Sequence, residues 1–337
     1  MATIRDVARM ANVSISTVSL AFSAPGRVSA ETLERVQRAA AAVGYAANPV
    51  AQSLASGKSR LIGLVVADIS NPFFGKLLKE VERCALTAGF LVIISDSGGD
   101  PAQERAILDH LNGQRVAGII LSPCGNGEAY VRSFDELKMP LVMFDQKVAG
   151  LDADFVGSDN RLASAMLTEH LLQLGHRRIG FIAGTRDLFT TRERVRGFTD
   201  TMAASGIEVD RSLIADGQYD GERAYGAAMR LLTRPDRPSA IIASSNVMAL
   251  ATLQAIGDLG VPCPERISLA SIDDVPWINV ISPRLTMVVQ DATELGRISA
   301  TRLLDRIGGT IPPKAIGEDF VLTPRFILGN SSAPLRA

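Results

Sequence analysis

Hydroxyl side chains clustered near the start of the chain are the first residues whose types and spacing suggest a chemistry. Ser14, Ser16, Thr17 and Ser19 carry short hydrogen-bonding groups, and Ile15 places an apolar side chain among them. Ser16 can exchange hydrogen bonds with the edge of a base, and Ile15 can contact a thymine methyl group. The other hydroxyls are small donors that can reach phosphates. The cluster predicts contacts with double-stranded DNA, provided that a helix carries it into the major groove.

Three short helices are predicted around this cluster. Thr3 can cap the first helix, which ends near a tight turn that begins at Asn12. Ser14 caps a second helix, and Ser29 caps a third, which Gly44 is well placed to end. Two helices joined by a tight turn, with a third beside them, form a helix-turn-helix bundle. In such a bundle the start of the second helix enters the major groove.

The charge distribution separates the first 60 residues from the rest. Residues 1–60 hold seven Lys and Arg side chains against three acids, a net charge of +4, and the rest carries −5 to give the total of −1. A basic head favours a nucleic-acid partner. The alternative interpretation is a polar helix surface on a small bundle, which leaves the basic charge unexplained.

The segment 48–57 follows the predicted bundle. Pro49 suits a first helical position and Gly57 a helix end, but so short a helix is marginal in water. We interpret this segment as a hinge that is helical only when it is docked.

From Leu61 the chain alternates between buried-strand runs and amphipathic helical stretches. The strand runs are 61–67, 90–94, 116–121, 140–144, 178–183, 239–243 and 267–272. The helical stretches include 73–88, 101–112, 159–174, 189–205, 220–233 and 246–259. This alternation is typical of parallel, doubly wound α/β domains. About 270 residues of it is too long for one sheet, so we expect two lobes.

Composition excludes several classes for this chain of 337 residues. No apolar run reaches the ~18 residues of a membrane span. No apolar signal core follows the first residue, so we expect a cytoplasmic protein without a membrane partner. The three cysteines lack a paired spacing and the three histidines lack a metal-ligand spacing. We therefore expect a reducing compartment, no metal and no cofactor.

The sequence gives little support to an enzymatic function. Gly57-Lys58-Ser59 looks like the end of a phosphate-binding loop, but that motif needs glycine at position 52, which is Gln52. There is no Gly-x-Ser-x-Gly elbow, and no histidine lies in a context typical of a catalytic base. We expect that the protein is not an enzyme.

An ordered series of motifs resembles the lac repressor/galactose repressor family. In the head the motifs are Val7-Ala8, Ala11-Asn12-Val13-Ser14-Ile15-Ser16-Thr17-Val18-Ser19, Arg27-Val28-Ser29, Gly44-Tyr45, Asn48-Pro49 and Ala51-Gln52-Ser53-Leu54. Further along they are Asn71-Pro72-Phe73-Phe74, Asp159-Asn160, Gly175-His176-Arg177-Arg178-Ile179, Gly197-Phe198, Met248-Ala249-Leu250 and Ile272-Asp273-Asp274. The resemblance implies an N-terminal all-α helix-turn-helix head with a hinge helix. A two-lobed α/β body similar to periplasmic sugar-binding proteins follows, with a ligand held between the lobes.

The resemblance also implies DNA contacts. Leu54 matches the hinge residue that wedges a central base step in the minor groove, and the alternative for Leu54 is packing against the body. The neighbouring positions assigned to the minor groove are Ala51, Gln52 and Ala55. Leu20, on the helix assigned to the major groove, stands where many members have Arg, so the operator half-site is expected to differ. Phosphate contacts are assigned to Thr3, Ser14 and Asn48.

The predicted effector site combines strand ends with positions implied by the resemblance. Asp145 and Asn246 lie just past strand ends, where open α/β sheets bind ligands. Arg194 matches the effector-binding arginine of the family and Asp273 a strand-end acid, although the two could instead form a structural ion pair. Ser245 and Asn246 stand where the family usually has an Asn-Asp pair. The apolar walls are assigned to Phe73, Phe74, Tyr219 and Trp277, with core packing as the alternative for Phe73.

These side chains favour a neutral sugar or polyol as effector. Carboxylates and guanidinium groups can make paired hydrogen bonds with vicinal hydroxyls. A purine is the alternative, because aromatic walls suit a base. A sugar-binding receptor without a DNA role is disfavoured by the first 48 residues and by the missing signal peptide.

We expect a ligand-responsive repressor that binds a near-palindromic operator as a homodimer. The predicted domains are a helix-turn-helix domain at 1–47, a hinge and linker at 48–59, and an effector-binding and dimerisation domain at 60–330. Its lobes are expected at about 60–158 plus 287–320 and at 159–286 plus 321–330. Residues 331–337 contain a proline and no leucine heptad, so we expect a disordered tail and no tetramer.

Overall fold

The computed structural model describes residues 2–23, 25–45, 59–137, 139–275, 280–312 and 315–335. The chain forms two compact units, Met1–Arg60 and Leu61–Ala337, which we call the head and the body. Within the described ranges, no helix is both long enough and apolar enough to cross a membrane.

The head is a bundle of three helices. They are α1 (Ile4–Ala11), α2 (Ile15–Ser23) and α3 (Ala30–Val43), with a 3₁₀ turn at Pro25–Arg27. Asn12 ends α1 in the left-handed conformation, with φ of 49°, and Gly44 ends α3 in the same way. Ser29 caps α3 by accepting a hydrogen bond from the Thr32 N–H. The helices predicted for the head are confirmed.

A shared apolar core fixes the rotation of each helix in the head. Val7, Val18 and Val36, one from each helix, are fully buried, and Ala21 and Ala40 pack with them. Because Val18 and Ala21 face this core, the opposite side of the first turn of α2 faces solvent.

The body contains two six-stranded sheets of the same doubly wound topology. Sheet 1 consists of β1 (Leu61–Val66), β2 (Leu91–Asp96), β3 (Gly118–Leu121), β4 (Leu141–Phe144), β5 (Asp154–Ser158) and β11 (Asp319–Leu322). Sheet 2 consists of β6 (Ile179–Ala183), β7 (Ile214–Asp216), β8 (Ala240–Ala243), β9 (Ser268–Ile272), β10 (Thr286–Val289) and β12 (Arg325–Ile327). The strand orders are β11-β5-β4-β3-β1-β2 and β12-β10-β9-β8-β6-β7. Strand β12 runs antiparallel to β10.

Helices pack on both sheets. They are α4 (Pro72–Thr87), α5 (Pro101–Gly113), α6 (Glu128–Arg132), α7 (Asn160–Gln173), α8 (Phe189–Ala204), α9 (Gly221–Leu232), α10 (Asn246–Asp258) and α11 (Ala292–Gly308), with a 3₁₀ turn at Arg211–Leu213. Helices α4 and α11 pack together on sheet 1, while the pairs α7–α8 and α9–α10 pack on sheet 2. The predicted two-lobed α/β body is confirmed.

Three crossovers connect the sheets in the described part of the chain. They lie between β5 and α7, between β10 and α11, and between β11 and β12. Lobe 1 therefore contains β1 to β5, α11 and β11, and lobe 2 contains α7 to β10 and β12. The predicted limits at 286/287 and 320/321 are wrong by a few residues. They cut through β10, which pairs with β9, and through β11, which pairs with β5.

The segment 331–335 is packed on lobe 2, so the prediction of a disordered tail is wrong for these residues. Strand β10 begins opposite Ala270, which leaves the N–H and the carbonyl of Leu269 without a partner in β10. Buried Ser331 satisfies both: its carbonyl accepts from the Leu269 N–H at 2.7 Å, and its Oγ donates to the Leu269 carbonyl at 2.6 Å. The Leu335 N–H donates to the Leu174 carbonyl at 2.8 Å.

A buried acid connects β5 to α11 in lobe 1. Asp154 is fully buried and accepts from Arg306 Nε at 2.7 Å, from Arg302 Nε at 3.2 Å and from the Glu318 N–H at 2.9 Å. Burial alone would raise the pKa of Asp154, but the hydrogen bonds from Arg306 and Arg302 outweigh it and lower the pKa to about 2. The carboxylate is therefore a charged structural group of this lobe.

We expect Asp154→Asn to destabilise the body by about 3 kcal/mol at pH 7, because it removes the buried counter-charge that Arg302 and Arg306 share and leaves only exposed acids such as Glu318 nearby. The folded pKa lies below the ordinary value, so this stability is complete above about pH 4 and is lost as the pH falls through 2. Urea unfolding at pH 7 and pH 3 measures both effects. Asp200→Asn, which removes a surface ion pair with Arg161, is the control. Equal losses in the two variants would contradict a structural role for Asp154.

Candidate functional site

A network of hydroxyls begins α2 in the head. Ser14 Oγ accepts from the Thr17 N–H at 3.0 Å, which caps the helix. The same oxygen lies 2.7 Å from Ser16 Oγ and 2.8 Å from Thr17 Oγ1. The hydroxyls therefore hold one another in place at the helix start.

The predicted base-reading residues lie on the solvent side of α2. Ile15 is 46% exposed, and Ser14 and Ser16 are exposed beside it. Thr17, Ser19 and Leu20 are half-buried at the flanks of this surface. A helix start with an exposed isoleucine and an exposed serine can present both to the edges of bases.

Thr3 is engaged in its own helix. Its backbone N–H and its hydroxyl donate to the Asp6 carboxylate, at 3.0 and 2.7 Å. A phosphate would have to compete with this neighbouring negative charge, and the phosphate contact of Thr3 stays a prediction. The assigned hinge and wall residues that lie outside the described residues also stay predictions: Asn48, Ala51, Gln52, Leu54, Ala55 and Trp277.

Two aspartates occupy equivalent positions in the two lobes of the body. Asp145 follows β4 and Asp273 follows β9, and both have left-handed backbones, with φ of 59° and 68°. The Asp145 N–H donates to Val156 in the adjacent strand β5, and the Asp273 N–H donates to Val288 in the adjacent strand β10. Left-handed backbone is uncommon outside glycine and is often found at functional sites.

Arg194, on α8 of lobe 2, is buried beside these acids. Its Nε donates to Asn160 Oδ1 at 2.7 Å and its Nη1 donates to the Ser244 carbonyl. Its Nη2 lies 4.0 Å from Asp273 Oδ2, a distance too long for a hydrogen bond. Neutral acceptors therefore orient the guanidinium, and the ion pair with Asp273 is loose.

The cluster holds two acids against one base. Burial raises the pKa of Asp145 to about 6, with Arg194 opposing the rise and Asp273 adding to it. Burial also raises the pKa of Asp273, against the effects of Arg194 and of a hydrogen bond from Gln290. This excess of acid leaves acceptors for the donors of a ligand.

A second polar group, which sequence reasoning missed, connects the lobes. Gln146 of lobe 1 donates to Thr190 Oγ1 at 2.7 Å and accepts from the Thr190 N–H at 3.2 Å. Thr190 and Thr191 lie 2.8 and 2.9 Å from the Tyr219 hydroxyl. Tyr219 therefore belongs to this polar group through its hydroxyl. The contact of Gln146 with the other lobe depends on a distance that no local sequence pattern encodes.

Asn246 also bridges the lobes. Its Nδ2 donates to Asn71 Oδ1 of lobe 1 and to the Asp274 carbonyl of lobe 2, at 3.1 Å each. Ser245 caps α10 through the Met248 N–H. A cleft of about 350 Å³ opens beside Asn246. The lining of this cleft includes Asn246 but none of Asp145, Arg194 and Asp273, so it is not the polar cluster itself.

The aromatic pair at the start of α4 belongs to the core of lobe 1. Phe73 and Phe74 are both nearly buried, with their ring centroids 5.2 Å apart, and Phe74 packs edge to face on Phe144 at 5.9 Å. Core packing, the alternative interpretation for Phe73, therefore accounts for both rings. Their assignment as walls is not supported by their packing.

A helix-turn-helix head and a two-lobed body with a polar cluster between its lobes define a ligand-responsive DNA-binding regulator. The family model "Bacterial regulatory proteins, lacI family" matches residues 3–48, and "Periplasmic binding protein-like domain" matches residues 168–332. The chain belongs to the lacI family of bacterial regulatory proteins.

Relatives support this membership along the whole chain. The transcriptional repressor CytR of Escherichia coli (strain K12) is 33% identical, over 91% of this chain and 90% of the relative. The ribose operon repressor of Haemophilus influenzae is 31% identical over 100% of both chains. The crystal structure of the lac repressor dimer bound to operator and the anti-inducer ONPF matches with a TM-score of 0.86 at 25% identity, over 98% of this chain and 99% of that chain. These relatives are transcriptional repressors.

We expect Ser16→Ala to change the ranking of operator half-site variants, with a loss of at most ~1–3 kcal/mol at one base pair. Ser19→Ala, which removes a hydroxyl on the same helix that can reach a phosphate, should weaken all variants alike. Binding to a randomised DNA library, followed by sequencing, measures the ranking. An unchanged ranking for Ser16→Ala would show that Ser16 does not read a base.

We expect Asp145→Asn to stabilise the ligand-free body at neutral pH. The folded pKa of about 6 lies above the ordinary 3.8, so the stability from this group is present below about pH 4 and is lost as the pH rises through 6. The variant cannot ionise, and its advantage should grow between pH 4.5 and 7.5, by up to about 3 kcal/mol. Urea unfolding over this range measures it, with the surface variant Asp109→Asn as control. A constant difference between variant and wild type would contradict the buried charge.

Proposed function

We propose that the protein is a cytoplasmic transcriptional repressor that binds a near-palindromic operator as a homodimer and is controlled by a neutral sugar or polyol between its lobes. The observation that carries the proposal is the buried cluster of Asp145 from lobe 1 with Arg194 and Asp273 from lobe 2. A ligand that joins these groups bridges the lobes.

The chemistry of the cluster favours hydroxyl groups. Vicinal hydroxyls can donate to the two carboxylates and accept from the guanidinium, which gives paired hydrogen bonds. The buried Oε1 of Gln290 has no hydrogen-bond partner among the described residues, so it offers a further acceptor. An anionic ligand would add to an existing excess of negative charge. The similarity to a ribose operon repressor makes a pentose the first candidate.

A purine is less compatible with these contacts. Phe73 and Phe74, which would have stacked on a base, are committed to the core, and the Tyr219 hydroxyl is engaged with Thr190. A purine effector is therefore tested as the alternative in the ligand screen.

The operator symmetry follows from assembly. A homodimer has two-fold symmetry, so two heads read two half-sites of opposite orientation. The similarity to a lac repressor dimer on its operator supports this arrangement. Effector and operator affinities are then coupled reciprocally, because each ligand biases the same set of lobe arrangements.

A thermal-shift screen of D-ribose, other pentoses, hexoses, polyols, nucleosides and purine bases tests the effector class. We expect stabilisation of about 3 kcal/mol at a hundredfold excess over Kd for a sugar or polyol. Asp273→Asn should abolish this shift while operator binding without effector is retained, because Asp273 lies in the body. Asp258→Asn, which alters an exposed hydrogen bond from the Tyr225 hydroxyl, is the control.

Two results would overturn parts of this proposal. A shift with purine bases and none with sugars would replace the effector class. A folded Asp273→Asn variant that responds at wild-type effector concentrations would remove Asp273 from the site.

A further inference from the structure

Two amide side chains beside the crossovers hold the charged side chains of lobe 2. Asn160, the first residue of α7, accepts from Arg194 Nε at 2.7 Å. Gln290, directly after β10, donates from Nε2 to both carboxylate oxygens of Asp273 at 3.1 Å. Each charged group that lobe 2 brings to the cluster is therefore bonded to a residue where the chain passes between lobes.

Asn160 contacts both lobes through one amide. It is 3% exposed, and its Nδ2 donates at 3.0 Å to the carbonyl of Ser158, the last residue of β5. Ser158 Oγ donates to the Leu322 carbonyl at 3.3 Å, and the Asp159 N–H donates to the same oxygen at 2.9 Å. Because Leu322 ends β11, a continuous chain of hydrogen bonds connects Arg194 to the first and third crossovers.

The helix cap does not account for this amide. Asp159 caps α7 by accepting from the Leu162 N–H at 2.8 Å. A buried amide is costly unless its donor and acceptor are both paired. The bonds to Arg194 and Ser158 are what compensate the burial of Asn160.

The orientation of the Arg194 guanidinium can be transmitted to Asn160. Its Nε and Nη1 are engaged by Asn160 and Ser244, while Nη2 has no hydrogen bond to a described residue and faces Asp273 at 4.0 Å. A ligand that accepts from Nη2 sets the orientation of the plane. Because the group is rigid and planar, that orientation is also imposed on Nε and its bond to Asn160.

We propose that Asn160 is a positioning residue that passes the orientation of Arg194 to the crossovers, so that occupation of the effector site changes the angle between the lobes. The proposal rests on the effector site proposed above. Its first test needs no ligand, because the hydrogen bonds join residues of the protein itself.

The test is the distance between lobes in the full-length protein. Nitroxide labels are attached at Asp109→Cys in lobe 1 and Glu208→Cys in lobe 2, both exposed positions, with the native cysteines replaced by serine. Labelled protein is diluted into unlabelled protein, so that distances within one chain are measured by pulsed electron spin resonance. The wild type, Asn160→Ala, Arg194→Ala and the double variant are compared.

We expect Asn160→Ala and Arg194→Ala to shift or broaden the distance distribution in the same way, and the double variant to add nothing further. Asn160→Asp keeps an acceptor for Arg194 but cannot donate to Ser158, so it should show the same shift. It also serves if the alanine variant fails to fold. Arg161→Ala, which loses a surface ion pair with Asp200, is the adjacent control. An unchanged distribution in folded Asn160 variants, or additive shifts in the double variant, would overturn the proposal.

A second arm uses D-ribose as the probe. If D-ribose binds the wild type, we expect Asn160→Asp to change its Kd less than threefold. The fold-change in operator affinity on adding D-ribose should fall at least fivefold. Equal losses in D-ribose affinity and in the operator response would show that Asn160 has only a structural role. Failure of D-ribose to bind the wild type counts against the proposed pentose, while the distance measurements still decide the role of Asn160.

Discussion

The burial of two carboxylates against one guanidinium is the constraint on which the arrangement of the body depends. Asp145 comes from lobe 1, Arg194 and Asp273 come from lobe 2, and all three are buried, so each carries a cost of desolvation that the contacts of the cluster must offset. Burial raises the pKa of each acid, and Arg194 opposes that rise at both of them. One guanidinium beside two carboxylates leaves the cluster with more hydrogen-bond acceptors than donors, and the hydroxyl groups of the proposed ligand are suited to fill this deficit.

The long elements could be predicted from sequence because their patterns are local. The strand runs near 116–121 and 239–243 and the helix near 189–205 became β3, β8 and α8 within a few residues. Strands β5, β7, β10, β11 and β12 and helices α6 and α11 were not among the predicted elements. Strand β7 has only three residues and β5 begins with an acid, and an acid in a strand becomes understandable only when Arg302 and Arg306 reach it from α11.

The residues of the candidate site likewise divide into those that local patterns predict and those that depend on the fold. Asp145 and Asn246 could be found because strand ends converge at one edge of a sheet, whereas Gln146 and Asn160 acquire their roles from distances between segments that the sequence separates. The sequence indicates only that Phe74 is apolar, and the choice between wall and core depended on Phe144, 70 positions away. The repeated crossing of the backbone between the lobes cannot be inferred from hydrophobic periodicity. The chain of hydrogen bonds through Asn160 depends on these crossovers.

The packing of 331–335 on lobe 2 bears on how the protein can be manipulated. A truncation at residue 330 would leave the N–H and the carbonyl of Leu269, near the start of β9, without hydrogen-bond partners, because Ser331 supplies both of them. A purification tag or reporter fused directly after Leu335 would begin near Leu174, because the Leu335 N–H donates to the Leu174 carbonyl. A flexible linker is therefore part of any sound fusion, and loss of function in a shortened chain reports first on the integrity of sheet 2.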